Sequence, residues 1–170
     1  LGVAAATWRP LRHPALALAG VGRTIPSLAV LMLLLPLLGV GAGPAIVALA
    51  LLATPPIVIG IDVGIRSVPS PVLDAAAGMG MTPAQSFRRV VVPLALPVSF
   101  AGLRTAAIET IASATLATFV GAGGLGDEIV RGLQTDDPAT LFAGAAAVAA
   151  LALAVEFALS RAGRSIEAPA

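Results

Sequence analysis

Residues 74–97, DAAAGMGMTPAQSFRRVVVPLALP, carry two adjacent arginines and are interrupted by glycine and proline, yet they lie between long apolar stretches of the chain. A membrane protein does not place such a segment against lipid, because each charged side chain there costs at least about 2.5 kcal/mol. The stretch therefore predicts a structured loop outside the bilayer that docks onto a soluble partner.

The composition predicts an all-α integral membrane protein. The chain is 58% hydrophobic and 11% charged, with a mean hydropathy of +0.98. A soluble domain carries about 25% charged residues, so this chain has too few charges to cover a surface in water. Its abundant alanine, leucine, valine and glycine suit closely packed transmembrane helices, in which small residues let backbones approach each other.

The absence of lysine and cysteine excludes several kinds of functional site. All ten basic residues are arginine, whereas the phosphate-binding P-loop requires a lysine, so the chain cannot itself carry that ATP site. There is no cysteine and one histidine, His13, which excludes thiol chemistry, structural zinc and iron–sulfur clusters. We predict no metal, no cofactor and no enzymatic activity. The net charge of +1 gives no indication of nucleic-acid binding.

Four apolar runs predict membrane spans, at about residues 14–38, 45–65, 94–120 and 139–159. The first eight residues, LGVAAATW, are apolar but far shorter than the roughly 20 residues that a span needs. We expect them to be the end of a helix that begins upstream. Residues 1–170 are then one transmembrane domain, truncated at its N-terminus.

The arginines are distributed unequally between the two ends of these spans. Seven of the ten fall on one side, namely Arg9, Arg12, Arg66, Arg88, Arg89, Arg161 and Arg164. The opposite segment, residues 121–138, holds Arg131 together with Asp127, Glu128, Asp136 and Asp137. Cytoplasmic loops carry the excess of arginine, so segment 67–93 is predicted to be cytoplasmic and segment 121–138 to face outward.

The first half of segment 67–93 has the signals of a short helix. Ser70 and Pro71 are typical of an N-cap followed by the first helical position. Gly78 and Gly80 predict the end of that helix and an elbow after it.

A second short helix follows the elbow. Thr82 and Gln85 have the spacing of a capping box, in which each side chain bonds the other's backbone. We expect Pro93 and Pro97 to end this helix and to lead into the next span. The segment is thus predicted to be a compact helix–turn–helix.

The same residues resemble the EAA motif of ABC importer permeases, which runs E-A-A, three residues, glycine, nine residues, I-x-L-P. The residues at the motif positions are Asp74, Ala75, Ala76, Gly80, Val90, Val92 and Pro93. Aspartate replaces glutamate and two valines replace isoleucine and leucine. The resemblance implies that residues 67–93, here called the coupling segment, sit in a groove of an ATP-binding subunit and transmit its closure. The alternative is an ordinary amphipathic cytoplasmic loop.

The flanking sequence resembles the permeases for glycine betaine, carnitine and choline. The similar stretches are RTIPSLAVLMLLLPLLGVGAGPAIVALAL at 23–51, GMGM at 78–81 and TFVGAGGLGDEIVRGLQTDDP at 118–138. The resemblance implies the type I ABC importer permease fold, a helical bundle like that of methionine importers. It also implies osmoprotectant uptake by alternating access across a bacterial plasma membrane. The implied partners are an ATP-binding subunit, an extracytoplasmic solute-binding protein and a second permease subunit, identical or related.

Charged and hydroxyl side chains within the third span are candidates for the translocation pathway. They are Arg104, Glu109, Thr110 and Ser113. Arg104 and Glu109 are five residues apart, about 140° around a helix, so each is expected to pair with another helix. Most serine and threonine hydroxyls in such helices bond their own backbone. Structural pairing and a pathway role both remain open for these residues.

Two further patterns bear on function. GAGGLG at 121–126 fits the dinucleotide-binding pattern, but that site requires a preceding strand, so we interpret it as a tight outward-facing turn. The chain has one tryptophan, no tyrosine and five phenylalanines, too few to build an aromatic cage for a quaternary ammonium group. Recognition of the solute should therefore lie mainly in the external binding protein.

Three alternatives remain. The same permease class with other cargo, methionine or an oxyanion, differs only in the solute. An ion-coupled secondary carrier would need no ATPase and no docking segment of this kind. An intramembrane enzyme would need clustered acids or histidines at catalytic spacing, which the sequence lacks.

Overall fold

The structure is a computed structural model that describes residues 9–167, and the side chains of residues 13–164. The helix end predicted at residues 1–8 lies outside the described residues. The first four helices are α1 (Arg9–Thr24), α2 (Ser27–Leu38), α3 (Ala42–Arg66) and α4 (Ser70–Gly78). They are followed by α5 (Pro83–Ser86), a π-helical turn (Phe87–Val91), α6 (Val92–Ala114), a 3-10 turn (Thr115–Val120), α7 (Leu125–Gln134) and α8 (Pro138–Glu167).

Three helical segments are long and apolar enough to cross a membrane: Ala42–Arg66, Pro83–Val120 and Pro138–Arg164. They overlap the second, third and fourth predicted spans, although the third segment begins at Pro83 rather than at residue 94. The first predicted span, 14–38, is instead two helices, α1 and α2, bent by 97°. Pro26 explains the break, because a proline disfavours helical geometry in the residue before it.

Helices α3 and α6 share the most extensive interface in the described chain. Glycines permit this packing. A Cβ atom added to Gly60 would lie 2.6 Å from the Cα of Gly102, and one added to Gly64 would overlap the side chain of Ser99. The two backbones are therefore in direct contact, as is typical of membrane helices with small residues at their interface.

A small apolar core joins α2, α3 and the 3-10 turn at the predicted outer end. Its buried residues are Leu31, Ala45, Ala48, Ala117 and Val120. The backbone N–H of Gly41 donates to the carbonyl of Val120 at 2.8 Å, which ties the α2–α3 connection to the end of the 3-10 turn.

Segment 121–138, which is predicted from the sequence to face outward and to begin with a tight turn, also contains the ten-residue helix α7. The glycines of α7 are buried: a Cβ on Gly126 would overlap the carbonyl of Thr115, and one on Gly132 would overlap the backbone of Leu141. Glycine disfavours an isolated helix, so the sequence pattern predicts a loop. Close packing against the 3-10 turn and α8 overrides that preference.

Candidate functional site

The coupling segment begins with α4, and this helix presents most of its motif residues to solvent. Asp74 and Ala75 are exposed, whereas Ala76 is almost fully buried. The N-cap is Pro69 rather than the predicted Ser70, and no side chain caps the helix. Ser70 is instead its first residue and Pro71 follows, where a missing N–H costs no helical bond.

The elbow after α4 is built on Gly80. Its φ is +76°, in the left-handed region, and its N–H donates to the carbonyl of Ala77 at 2.9 Å. The next N–H, from Met81, donates to the carbonyl of Ala76 at 3.1 Å. These two bonds form a Schellman motif, whose left-handed position is usually glycine because a Cβ is disfavoured there. The predicted elbow is confirmed.

The second helix starts with the predicted capping box. The backbone N–H of Thr82 donates to Oε1 of Gln85 at 2.9 Å, and the N–H of Gln85 donates to Oγ1 of Thr82 at 3.3 Å. Pro83 occupies the first helical position, which favours helix initiation. The start of this helix is therefore fixed by local bonds among four consecutive residues.

The prediction that Pro93 and Pro97 end this helix is wrong. From Pro83 to Val120 the chain is one helical segment of 38 residues, with a π-helical turn before Pro93. In that turn the N–H of Val92 bonds the carbonyl of Phe87, five residues back. The wider turn accommodates a proline, which has no N–H and would crowd the preceding turn of a regular helix.

A hydrophobic cluster fixes the coupling segment to the ends of α3 and α6. Val68, Val91 and Ala95 are buried in it, with Leu73 and Phe87 packed against them. The segment is therefore anchored by one apolar face, while its other face is open to a partner.

The open face carries most of the motif residues and both arginines. Gly80, Val92 and Pro93 are exposed, and Val90 is partly buried. A groove of about 440 Å³ lies beside the capping box, lined by Ala84, Gln85, Arg88 and Arg89. An exposed surface with two guanidinium groups favours contact with an acidic protein surface.

The structure separates the four candidate pathway residues. Arg104 Nη2 donates to the carboxylate of Glu156 and to Ser160 Oγ, the latter at 2.9 Å. Glu109 faces a different helix, with its Oε1 3.7 Å from Nη2 of Arg23. The prediction that both charges pair across helices is confirmed. Thr110 and Ser113 are partly buried on α6.

Sequence analysis did not identify Glu156 and Ser160 as partners of Arg104. The available signal was that Glu156 is the only acid in the last predicted span, 139–159. An isolated acid in an apolar span requires a basic partner on a neighbouring helix, and Arg104 is within reach because α6 packs against α8.

The glycine-rich turn at 121–126 has the tight geometry predicted for it. Gly121, Gly123 and Gly124 all have positive φ values. The turn follows a helical span, and residues 9–167 contain no strand, so the context of a dinucleotide site does not exist there. Thr118 donates to the carboxylate of Asp127, which joins the end of the third span to the start of α7.

The start of α8 is fixed by Asp137. Its carboxylate accepts bonds from Oγ1 of Thr140 at 2.6 Å and from the N–H of Ala139 at 3.0 Å. The hydrogen bonds from Thr140, first that of its side chain, hold the pKa of Asp137 below its ordinary value.

Comparison with known proteins identifies a family that matches nearly the whole chain. Residues 1–167 match the family described as binding-protein-dependent transport system inner membrane component. The chain belongs to this family. Its members are inner-membrane components, so the helical spans of this permease lie in a bilayer.

Curated relatives of this permease are transport proteins. It is 46% identical over 144 residues to the choline transport system permease protein OpuBB of Bacillus subtilis (strain 168), covering 85% of this chain and 66% of OpuBB. It is 40% identical over 166 residues to the glycine betaine/carnitine/choline transport system permease protein OpuCB of the same organism, covering 98% of this chain and 76% of OpuCB. The permease thus spans about two thirds of the length of OpuBB.

Solved structures support the predicted fold. Two crystal forms of inward-facing MetNI, a methionine ABC transporter, are similar to this permease. One has a TM-score of 0.81 at 25% identity over 93% of this chain and 76% of that chain. The other has a TM-score of 0.76 at 27% identity over 88% and 73%. The predicted type I importer permease fold is confirmed.

Proposed function

We propose that this permease is the membrane subunit of an ATP-driven, binding-protein-dependent importer for quaternary ammonium osmoprotectants. The observation that carries this function is the coupling segment, a capped helix–turn–helix with an exposed face that runs without interruption into a membrane span. ATP hydrolysis belongs to a separate subunit, because the chain has no lysine for a P-loop.

The length of the continuous helical segment suits force transmission. Its 38 residues extend for about 57 Å at 1.5 Å per residue, which exceeds the roughly 40–45 Å of a bilayer with its headgroups. Its first turns therefore project into the cytoplasm, where α4 and α5 meet the ATP-binding subunit. Because the segment is continuous, motion at this docking surface would be transmitted along one helix to the 3-10 turn.

The outer end of this helical segment is hydrogen-bonded to the α2–α3 connection and to α7. Val120 accepts a bond from Gly41, and Thr118 bonds Asp127 of α7. Closure of the paired ATP-binding subunits would bring two coupling segments together and open the pathway outward to a loaded binding protein. Hydrolysis would reset it inward. A second permease subunit, identical or related, completes the pathway in this mechanism.

Two sets of similar proteins bear on the cargo. Relatives at 40–46% identity are named for choline, carnitine and glycine betaine, whereas the structural matches at 25–27% identity are named for methionine. We assign the cargo from the more similar group. The scarcity of aromatic residues places tight recognition of that cargo in the binding protein rather than in the permease.

Reconstitution tests this function. The purified full-length permease alone should neither hydrolyse ATP nor bind glycine betaine or choline with micromolar affinity. In liposomes with its ATP-binding subunit, it should support hydrolysis stimulated by the solute-loaded binding protein. Uptake driven by an ion gradient without ATP would overturn the proposal in favour of a secondary carrier. If only methionine-loaded binding protein stimulated hydrolysis, the proposed ATP-driven import mechanism would stand and the assigned cargo would change to methionine.

A further inference from the structure

Helix α6 carries two ion pairs that differ in contact geometry and in exposure. Arg104 is held by the Glu156 carboxylate and the Ser160 hydroxyl, and Ser160 also donates to Glu156 at 3.2 Å. The three side chains form a hydrogen-bonded network between α6 and α8, although the buried Nε of Arg104 has no partner among the described residues. Such a network fixes the distance between two helices, so we assign Arg104 a structural role.

The second pair is open. Glu109 and Arg23 are 3.7 Å apart, beyond the 2.7–3.2 Å of a good hydrogen bond. The side chains of Arg23 and Glu109 are 50% and 45% exposed, against 36% for both members of the Arg104–Glu156 pair. Both groups therefore retain room for a further charged partner.

Glu109 lies on a helical segment that is long and apolar enough to cross the bilayer, and Arg23 lies next to it near the end of α1. A half-exposed carboxylate or guanidinium group in such a position is strongly disfavoured against acyl chains, so it must face water or protein. Charges of this kind are typical of substrate paths through membrane proteins.

A groove between α6 and α8 is lined in part by Glu109. Its volume is about 520 Å³, within the range of roughly 300–1,000 Å³ that is usual for small-molecule sites. Its walls carry three charged residues, Arg104, Glu109 and Glu156, among apolar side chains that include Ile108, Ala152 and Leu153. The groove is mostly apolar. Arg104 and Glu156 in its lining pair with each other, whereas the carboxylate of Glu109 is only loosely paired, with Arg23, which lies outside the lining residues.

The structure points to Glu109 and Arg23 as a transit site for the cargo, an inference that rests on the function proposed above. A quaternary ammonium group has no N–H, so a site for it must combine a negative charge with apolar surface for its methyl groups. The groove supplies both. The lining residues include no aromatic ring, which makes binding weak and suits a site that cargo must leave.

The arginine of the open pair adds a distinction between solutes. Glycine betaine and carnitine carry a carboxylate as well as the ammonium group, whereas choline carries only the cation. In the site, Glu109 receives the ammonium group of either class. Arg23 receives the carboxylate of a zwitterion and has no partner on choline.

The test compares two solutes on one reconstituted importer, made of the full-length permease, its ATP-binding subunit and a binding protein loaded to saturation. Arg23→Gln should lower the uptake of glycine betaine relative to choline by about tenfold, the typical effect of losing one charge contact. Glu109→Gln should lower the uptake of both solutes by a similar factor. Arg23→Gln is the variant that discriminates, because a merely structural role would reduce both solutes equally in it and leave their ratio unchanged.

A charge exchange separates the site from a structural ion pair. The double variant Arg23→Glu with Glu109→Arg retains an ion pair in reversed orientation. We expect transport to remain impaired, because the charge facing the groove is now positive. Recovery of transport at the wild-type ratio would overturn the transit site. Failure of the wild-type importer to move either solute would instead contradict the proposed function.

A third comparison does not depend on the charged variants folding. Ala152→Phe fills the groove, whereas Ala150→Phe adds the same bulk to an exposed position of α8 that does not line it. Uptake should fall with Ala152→Phe and persist with Ala150→Phe at equal membrane levels. Equal uptake by the two variants would show that cargo does not pass this groove.

Discussion

The coupling segment and segment 121–138 both connect membrane spans through glycines and a short helix, but they are held in place differently. The coupling segment is stabilised by its own capping box and Schellman turn, and by one apolar cluster at its base. In segment 121–138, buried glycines bring α7 into backbone contact with the 3-10 turn and α8. The coupling segment thus depends mainly on bonds between its own residues, whereas segment 121–138 depends on contacts with neighbouring helices.

The largest expected contrast between the two segments is topological and all-or-none. The chain has no cysteine, so single cysteines can be placed at Ala84 and Gln134, both exposed. An impermeant thiol reagent added outside intact cells should label Gln134→Cys and spare Ala84→Cys, because the arginine distribution places them on opposite sides. Labelling of both positions from outside would refute the orientation.

The next effect is loss of transport without loss of the protein. Gly80→Glu forces a side chain into a left-handed position and adds a charge to the surface proposed to dock onto the ATP-binding subunit, so uptake should be abolished. The variant should still accumulate in the membrane, because a Cβ at Gly80 contacts nothing. Uptake assays paired with membrane immunoblots measure both results.

Gly80→Asn is the matched control, since asparagine tolerates left-handed geometry better than most residues. It should retain much of the activity. Normal transport by Gly80→Glu would rule out a coupling role for this elbow.

In segment 121–138, substitution of a buried glycine should lower the stability of the permease. Gly126→Ala places a Cβ against the Thr115 carbonyl and should destabilise the permease by about 1–3 kcal/mol, as overpacking usually does. Gly78→Ala, at a helical position with open space, should be neutral or stabilising by about 0.5 kcal/mol. Thermal unfolding in detergent compares them. Equal melting temperatures would mean that α7 is not held by glycine contacts.

The smallest effect concerns the start of α8. Since the folded-state pKa of Asp137 is lowered, its contribution to stability is present at neutral pH and is lost as pH falls through that lowered pKa. Asp137→Ala should therefore reduce the melting temperature slightly at neutral pH and not in acid. A difference that persists at acidic pH would assign the effect to the loss of the side chain rather than of its charge.

Features fixed by neighbouring residues could be predicted from the sequence. The elbow at Gly80 and the box between Thr82 and Gln85 depend on bonds within a few residues, and both occur as expected. The helix across Pro93 could not be predicted, because the sequence does not reveal that a π turn precedes the proline. The bend near Pro26 has a local cause, but apolar periodicity alone concealed it.

The candidate pathway residues also have some features that could be predicted from the sequence and others that could not. Composition identified Arg104 and Glu109 as charges that need partners, and helical geometry excluded a pairing between them. The identity of their partners depends on how α6 packs against α1 and α8, which no local pattern records. Packing between distant parts of the sequence therefore determines that Arg104 is held in a hydrogen-bonded network and that Glu109 is only loosely paired.

The π turn at Phe87–Val91 has a consequence for sequence length. A π turn holds one residue more than a regular helical turn, and each residue turns an α-helix by about 100°. Deleting one residue from it would restore a regular helix and swing everything before it by roughly a quarter turn relative to the span. The exposed face of α4 and α5 would then point in a different direction relative to the span, so insertions and deletions here should be far less tolerated than substitutions.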